Sequence, residues 1–105
     1  MIHTRVKEVQ FDSDGSAHGG TAFVGIPACR FVGAYFQFDP DDLTADVTLT
    51  SLGQDFDTAD GIAHNHLISR LSPVEELVDS PLEVVFHNVS GAGKATVTLF
   101  LSYGR

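Results

Sequence analysis

The last third of the chain carries the feature that most limits the possible folds. Apolar residues occupy every second position in two runs that are separated by a short segment, Ser90 to Gly93. The first run is Leu82, Val84 and Phe86, and the second is Ala95, Val97, Leu99, Leu101 and Tyr103. Period-two alternation is typical of a strand with one buried face, and glycines favour a tight reversal. The pattern therefore predicts an antiparallel hairpin from Leu82 to Tyr103.

Similar patterns recur along the rest of the chain. Alternation within 45–52 predicts a half-buried strand, and the mixture of β-branched and charged residues in 2–9 predicts an edge strand. Residues 62–71 are interpreted as a strand, with a helix as the alternative. Six or seven strands in 105 residues predict one all-β domain, residues 1–105, built as an antiparallel β-sandwich or a small β-barrel.

The segment from Cys29 to Phe38 is densely aromatic. A run that is apolar on both faces predicts a central strand, covered on each side by protein or by a neighbouring subunit. Its four aromatic residues are the candidate interface residues: Phe31, Tyr35, Phe36 and Phe38. Cys29 is the single cysteine, which excludes an internal disulfide, and we expect it to be a small buried residue.

One helix and two loops complete the predicted structure. Ser72-Pro73-Val74-Glu75 matches a capping box with proline at the first helical position, and Pro81 limits the predicted helix to about two turns. Glycine and aspartate are frequent in 11–20 and in 53–61, so both segments are predicted to be loops. Asp39-Pro40-Asp41-Asp42 is predicted to be a turn.

The chain is acidic, with 14 Asp and Glu against 6 Lys and Arg and a net charge of −8. Nucleic acid and anionic membrane both require a basic surface, so neither is an expected partner. An acidic surface can instead attract a basic protein or divalent cations. There is no signal-peptide pattern, and no apolar run approaches the roughly 20 residues of a membrane helix. We expect a soluble protein made in a cytoplasm.

His64-Asn65-His66 is the sharpest candidate for chemistry. On a strand, positions i and i+2 point the same way, so His64 and His66 could share a metal ion. The pattern resembles the cupins, which would imply a metal-dependent enzyme. Cupins also place a Glu three or four residues later, where this chain has Ser69 and Arg70, and a third ligand such as His87 would have to come from elsewhere.

Asp55, Asp57 and Asp60 form the second candidate cluster. They resemble a calcium loop, but the sixth and twelfth EF-hand positions counted from Asp55 hold Asp60 and His66 instead of Gly and Glu. Solvated turn residues are the alternative interpretation. A calcium- or carbohydrate-binding sandwich using the two loops is therefore a second functional hypothesis, although the chain has no Trp to offer a sugar.

Signatures of catalysis fail on inspection. Gly91-Ala92-Gly93-Lys94-Ala95 imitates the end of a phosphate-binding loop, but Asn88 and Ala95 replace required residues and no helix follows. No serine lies in a Gly-x-Ser-x-Gly elbow. The sequence thus predicts no catalytic residue and no cofactor, and it favours a non-enzymatic protein.

The C-terminal segment 84–103, Val-Val-Phe-His-Asn-Val-Ser-Gly-Ala-Gly-Lys-Ala-Thr-Val-Thr-Leu-Phe-Leu-Ser-Tyr, resembles hairpins of phage virion proteins. In size, acidity and lack of paired cysteines the chain is similar to the small capsid decoration (cement) proteins of tailed phages. This pattern-level resemblance covers about a fifth of the chain. It implies a location in the virion, binding to the major capsid protein and self-association, often as a trimer, with many weak contacts that together stabilise the shell.

Overall fold

Two antiparallel sheets packed face to face form the structure, a computed structural model that describes residues 2–11, 19–24, 29–69, 76–78 and 82–102. These ranges contain the following strands: β1 (Ile2–Phe11), β2 (Gly19–Phe23), β3 (Cys29–Asp39), β4 (Ala45–Ser51), β5 (Gln54–Ile62), β6 (His66–Ser69), β7 (Glu76–Val78), β8 (Leu82–His87) and β9 (Gly93–Ser102). The prediction of an all-β fold is confirmed, and of the two predicted architectures, sandwich or small barrel, the two sheets form the sandwich.

The strand order identifies the topology. Sheet A has the order β1-β9-β3-β6, with β7 also paired to β3, and sheet B has the order β2-β8-β4-β5. Apart from the short β7, the chain thus fills two four-stranded sheets by crossing repeatedly from one to the other. This order is that of a jelly roll, an arrangement of two Greek keys.

The predicted C-terminal hairpin is wrong in its pairing, although both strands exist. β8 pairs with β2 and β4 in sheet B, whereas β9 pairs with β1 and β3 in sheet A. The alternating apolar residues of the two strands therefore face each other across the core. Val89, in the connection between them, is fully buried, so the chain crosses between the sheets here instead of reversing within one. Alternation alone does not distinguish these two cases.

The hairpin that does lie within one sheet joins β4 to β5. Ser51 pairs with Gln54, and the two residues between them have positive φ, 53° at Leu52 and 83° at Gly53. Two consecutive positive φ angles define a type I′ turn, whose twist matches that of the flanking strands. The prediction of an acidic loop over 53–61 is therefore wrong: these residues form most of the edge strand β5.

The predicted short helix is also corrected where the structure describes it. Glu76–Val78 would form part of that helix, but it is strand β7, paired with Cys29–Phe31 of β3. β6 pairs only with Gly33–Phe36, so β7 supplies hydrogen-bonding partners for the first three residues of β3. The capping sequence 72–75 lies outside the described residues.

A β-bulge explains the aromatic run of β3. The register against β9 shifts between Phe31 and Gly33, so Phe31 and Phe36 face the same interior although they are an odd number of residues apart. β3 is central in its sheet, as predicted. Its outer face, however, carries Arg30, Gln37 and Asp39, which are exposed. The apparent two-sided hydrophobicity arises because the bulge shifts the alternation.

Two neighbouring crossings close the same end of the sandwich. The β3–β4 crossing contains the predicted turn at Asp39–Asp42, and the β8–β9 crossing lies beside it. They are joined reciprocally, because the Ser90 amide donates to the Thr44 carbonyl oxygen at 3.0 Å and the Thr44 amide donates to Ser90 Oγ at 3.0 Å. Leu43 fills the space beneath them and is buried.

No helix in the described part of the chain is long and apolar enough to cross a membrane.

Candidate functional site

Charge is unevenly divided between the two sheets. The strands of sheet B contain Asp46, Asp55, Asp57, Asp60 and Glu83, and none of their residues is Lys or Arg. The strands of sheet A contain Arg5, Lys7, Arg30 and Lys94, together with the acids Glu8, Asp39 and Glu76. A face of a single sign produces a coherent field that a partner of opposite charge can sense. Sheet B is therefore the acidic side of the molecule.

The aspartates of β5 do not converge on one point. Asp55 pairs with Thr50 and Asp57 with Leu49, and a bulge lies between these two pairs. Adjacent residues of β4 face opposite sides of the sheet, so Asp55 lies on the outer face and Asp57 on the inner side of the edge. Within the described ranges, no group of three or more His, Cys, Asp or Glu is placed to hold a metal ion. The cluster predicted from the sequence is distributed along an edge strand, where charges also discourage edge-to-edge aggregation.

Asp46, near the start of β4, accepts hydrogen bonds from two other segments of the chain. Its Oδ1 accepts a hydrogen bond from the Gly61 amide at 2.7 Å, and its Oδ2 accepts one from Asn88 Nδ2 at 2.9 Å. These bonds join β4 to the end of β5 and to the β8–β9 crossing, where Asn88 has a positive φ of 53°. The Asn88 bond lowers the pKa of Asp46 most, followed by the Gly61 bond and the charge of His87, while desolvation opposes them.

This pKa shift predicts a pH-dependent effect of Asp46→Asn. Because the folded-state pKa lies below the ordinary value of 3.8, the carboxylate stabilises the fold above that pH and loses its contribution as pH falls through the folded-state pKa. We expect the variant to have a lower Tm than the wild type at pH 7, and the gap to close as pH falls through the folded-state pKa of Asp46. Calorimetry over this range measures the difference. A gap that stays constant down to acid pH would contradict the role assigned to the charge.

His64 and His66 are placed differently from the metal pair predicted for them. His64 precedes β6 in a turn, and Asn65 between the two histidines has a positive φ of 65°, so the i, i+2 geometry of a strand does not apply. The backbone amide of Phe38 donates to His64 Nδ1 at 2.9 Å. The His66 ring lies 6.5 Å from that of Phe36, measured between centroids. The turn is therefore held against β3, and Tyr35 reinforces it through a hydrogen bond from its hydroxyl to Asn65 Oδ1.

Three of the four predicted interface aromatics are part of this chain's own core. Phe31, Phe36 and Phe38 are buried between the sheets, which makes them unavailable to a partner. Tyr35 alone lies on the outer face and is half-exposed. The physical reason is the bulge, which turns all three phenylalanines inward. Cys29 is buried, as predicted.

The outer face of sheet A is the apolar surface that sequence reasoning missed. Paired residues share a face, and the registers of β1, β9, β3 and β6 align Val6, Thr98, Tyr35 and Leu67 in one row across the sheet. Val6 is 58% exposed and Leu67 is 56% exposed. Phe100, half-exposed, occupies the next row. Only the tertiary pairing brings these residues together, because they come from four separate segments.

One local pattern in the sequence does indicate that β5 is a strand. Leu52-Gly53 can form a two-residue turn, and Phe56, Ala59 and Ile62 beyond it supply the apolar side of a strand. Since the aspartates dominate the composition of this segment, the strand was obscured.

No protein-family model, curated protein or solved structure matches the chain.

Proposed function

We propose that this protein is a non-enzymatic structural component of a virion: a capsid decoration (cement) protein that binds the major capsid protein and stabilises the shell. The observation that carries the proposal is the division of charge, with five acids and no Lys or Arg in the strands of sheet B. A small rigid sandwich with one acidic side is suited to bridging basic patches on neighbouring subunits. Many such contacts, each weak, would together resist outward pressure.

The interior supports a structural role. The residues that are buried in the described part of the chain are all apolar, so the described core between the sheets contains no buried polar or charged residue. This differs from what the cupin alternative requires, a barrel whose interior presents metal ligands. The ligand-binding alternative would use the acidic edge β5 or residues 12–18, which lie outside the described residues. A rise of several degrees in Tm on addition of calcium would favour that alternative over ours.

Self-association belongs to the same proposal, as does location in the virion. The resemblance to decoration proteins implies a trimer. Neither nucleic acid nor membrane is a proposed partner, because the net charge is −8.

Neutralising the acidic face tests this function. Asp55 and Glu83 both pair with Thr50, so they lie in one row of sheet B. We expect the double variant Asp55→Asn/Glu83→Gln to bind empty shells, assembled from the major capsid protein encoded in the same genome, at least about 10-fold more weakly. Wild-type binding is expected to fall as salt is raised. Co-sedimentation of the full chain with the shells measures both effects.

A matched control separates the face from the total charge. The double variant Asp41→Asn/Asp42→Asn also removes two negative charges, but it removes them from the exposed β3–β4 crossing. We expect its affinity for the shells to change by less than about 2-fold. Equal weakening by both variants would contradict docking through sheet B. A wild-type protein that ignores the shell, or a genome that encodes no capsid protein, would overturn the function itself.

A further inference from the structure

We propose that the outer face of sheet A is an interface between two copies of this chain, packed face to face about a two-fold axis. The inference rests on the proposed function only for the premise that the protein self-associates. It names the surface used, it puts a two-fold dimer in place of the trimer that the resemblance implies, and it leaves sheet B free to meet the capsid.

The apolar content of the face is the first argument. Among the described residues, Ile2, Val6, Val24, Leu52 and Leu67 are the large apolar side chains that are most exposed. Three of them, Ile2, Val6 and Leu67, lie on this one face, where half-exposed Tyr35 and Phe100 connect them. Contiguous apolar patches on a sheet face mark surfaces that another protein covers.

Charge complementarity identifies a second copy as the occupant. Arg30 and Asp39 are exposed at the two ends of β3, opposite Ser102 and Lys94 of β9. Both of these β9 residues are four positions from Thr98, so Arg30 and Asp39 lie at matching distances on either side of the row from Val6 to Leu67. A two-fold axis along that row, in the plane of the interface, places Arg30 of each copy over Asp39 of the other.

The remaining charges fit the same arrangement. Glu8 and Lys94 are also on this face and are already paired with each other, 3.3 Å apart. The face thus carries two acids and two bases, so it does not repel a copy of itself. Sheet B, with five acids and no Lys or Arg in its strands, would repel its own copy. Self-association is consequently directed to sheet A.

The size of the face is sufficient for a reversible dimer. Four strands spaced ~4.8 Å apart, each with a rise of ~3.4 Å per residue over the paired length, cover roughly 600 Å² on each copy. Two copies would bury about 1,200 Å² in total, at the lower end of the range for specific protein interfaces. We therefore expect a dimer with a Kd of about micromolar order.

Two pairs of matched variants test the surface. Val6→Lys and Leu67→Lys place a charge on the apolar row, while Val24→Lys and Leu52→Lys place one on equally exposed apolar residues elsewhere, at 64% and 61% exposure. We expect the first pair to raise the dimer Kd at least about 100-fold, because Val6 lies on the axis and meets its own copy. The second pair should change it less than about 3-fold. Sedimentation velocity over a concentration series measures the Kd of each full-length variant.

A charge exchange tests the symmetry. Arg30→Asp and Asp39→Arg should each weaken the dimer, since like charges then face each other across the axis. The double variant Arg30→Asp/Asp39→Arg should restore the dimer to within about 3-fold of the wild type, because the pair is re-formed with reversed sign. Thermal melts of each variant verify that the fold is retained. Failure of the double variant to recover would exclude the proposed axis.

Three other outcomes overturn the interface: a wild-type chain that stays monomeric at millimolar concentration, a trimer unaffected by Val6→Lys, or equal weakening by all four lysine variants. None of them bears on the capsid, because shell binding is measured separately. A monomeric Val6→Lys variant that still co-sediments with shells would keep the proposed function, while a dimeric wild type that ignores shells would overturn the function and leave the dimer standing.

Discussion

Replacing Gly93 by alanine is expected to reduce the free energy of unfolding by at least about 3 kcal/mol, and so to remove a large share of the stability of a domain of this size. Gly93 begins β9 with a φ of 152°, which side chains rarely adopt. A Cβ at this position would overlap the Asp39 carbonyl oxygen and lie 2.8 Å from both Leu43 Cδ1 and Pro40 Cδ. Backbone and buried core therefore leave no room for it.

Gly91, two residues earlier, supplies the matched control. Its φ is not in the positive range that requires glycine, and a Cβ there would meet only Leu43 Cδ2 at 3.6 Å, an ordinary contact. We expect Gly91→Ala to change the free energy of unfolding by less than about 1 kcal/mol. Urea denaturation of both variants gives the comparison. Equal stabilities would show that the two chain crossings do not approach as closely as the structure has them.

Phe86→Ala is expected to cost about 3–5 kcal/mol. Phe86 is fully buried and extends from sheet B into a group of three rings from sheet A. Its ring centroid lies 5.3 Å from that of Phe11, 5.9 Å from that of Phe36 and 6.2 Å from that of Phe38, all in edge-to-face orientation. The ring thus joins the two sheets, and its removal would leave a cavity at the centre of the core.

The controls for this prediction vary position and size separately. Phe100→Ala removes a ring of the same size from the half-exposed outer face, and we expect it to cost the monomer less than about 1.5 kcal/mol. Phe86→Leu keeps most of the buried volume and should cost clearly less than the alanine variant. Denaturation at a protein concentration below the Kd expected for the proposed dimer measures all three. A similar cost for Phe86→Ala and Phe100→Ala would contradict the assigned core.

The strands of this protein could largely be predicted from local patterns, because alternation reports directly which face of a strand is buried. Val47 and Leu49 in β4 were identified in this way, as was the alternation in β8 and β9. β5 was missed because an edge strand needs only a few apolar contacts. The remainder of its residues can be polar, so its composition is that of a loop.

The partners of these strands could not be predicted. A hairpin and a crossing between sheets bury the same alternating residues, and the difference lies in whether β9 pairs with β8 or with strands of the opposite sheet. The aromatic run of β3 was misinterpreted for a related reason. A single bulge near Val32 shifts the alternation, and nothing in the local pattern marks where the extra residue falls.

For the candidate surfaces, too, the sequence shows which residues are present but not which of them lie together. The sequence shows an excess of acids, but it does not show that the strands of sheet B carry acids and no Lys or Arg, while those of sheet A carry both signs. The sequence shows the two histidines of His64-Asn65-His66. It does not show the hydrogen bond from the Phe38 amide to His64, because the two residues are 26 positions apart in the chain. Neither the apolar row nor the acidic face is contiguous in the chain.

What the sequence determined by itself was therefore the all-β class, the inward faces of most strands, and the net charge of −8. Each follows from composition or from the two-residue period of extended backbone. The tertiary structure alone decided the jelly-roll order, the bulge in β3, the crossing between β8 and β9, the placement of acids without Lys or Arg in sheet B, and the apolar residues brought together on the outer face of sheet A. These features depend on which distant strands share hydrogen bonds. A period-two pattern does not specify the partner strand, because the same alternation of buried and exposed residues fits any neighbour.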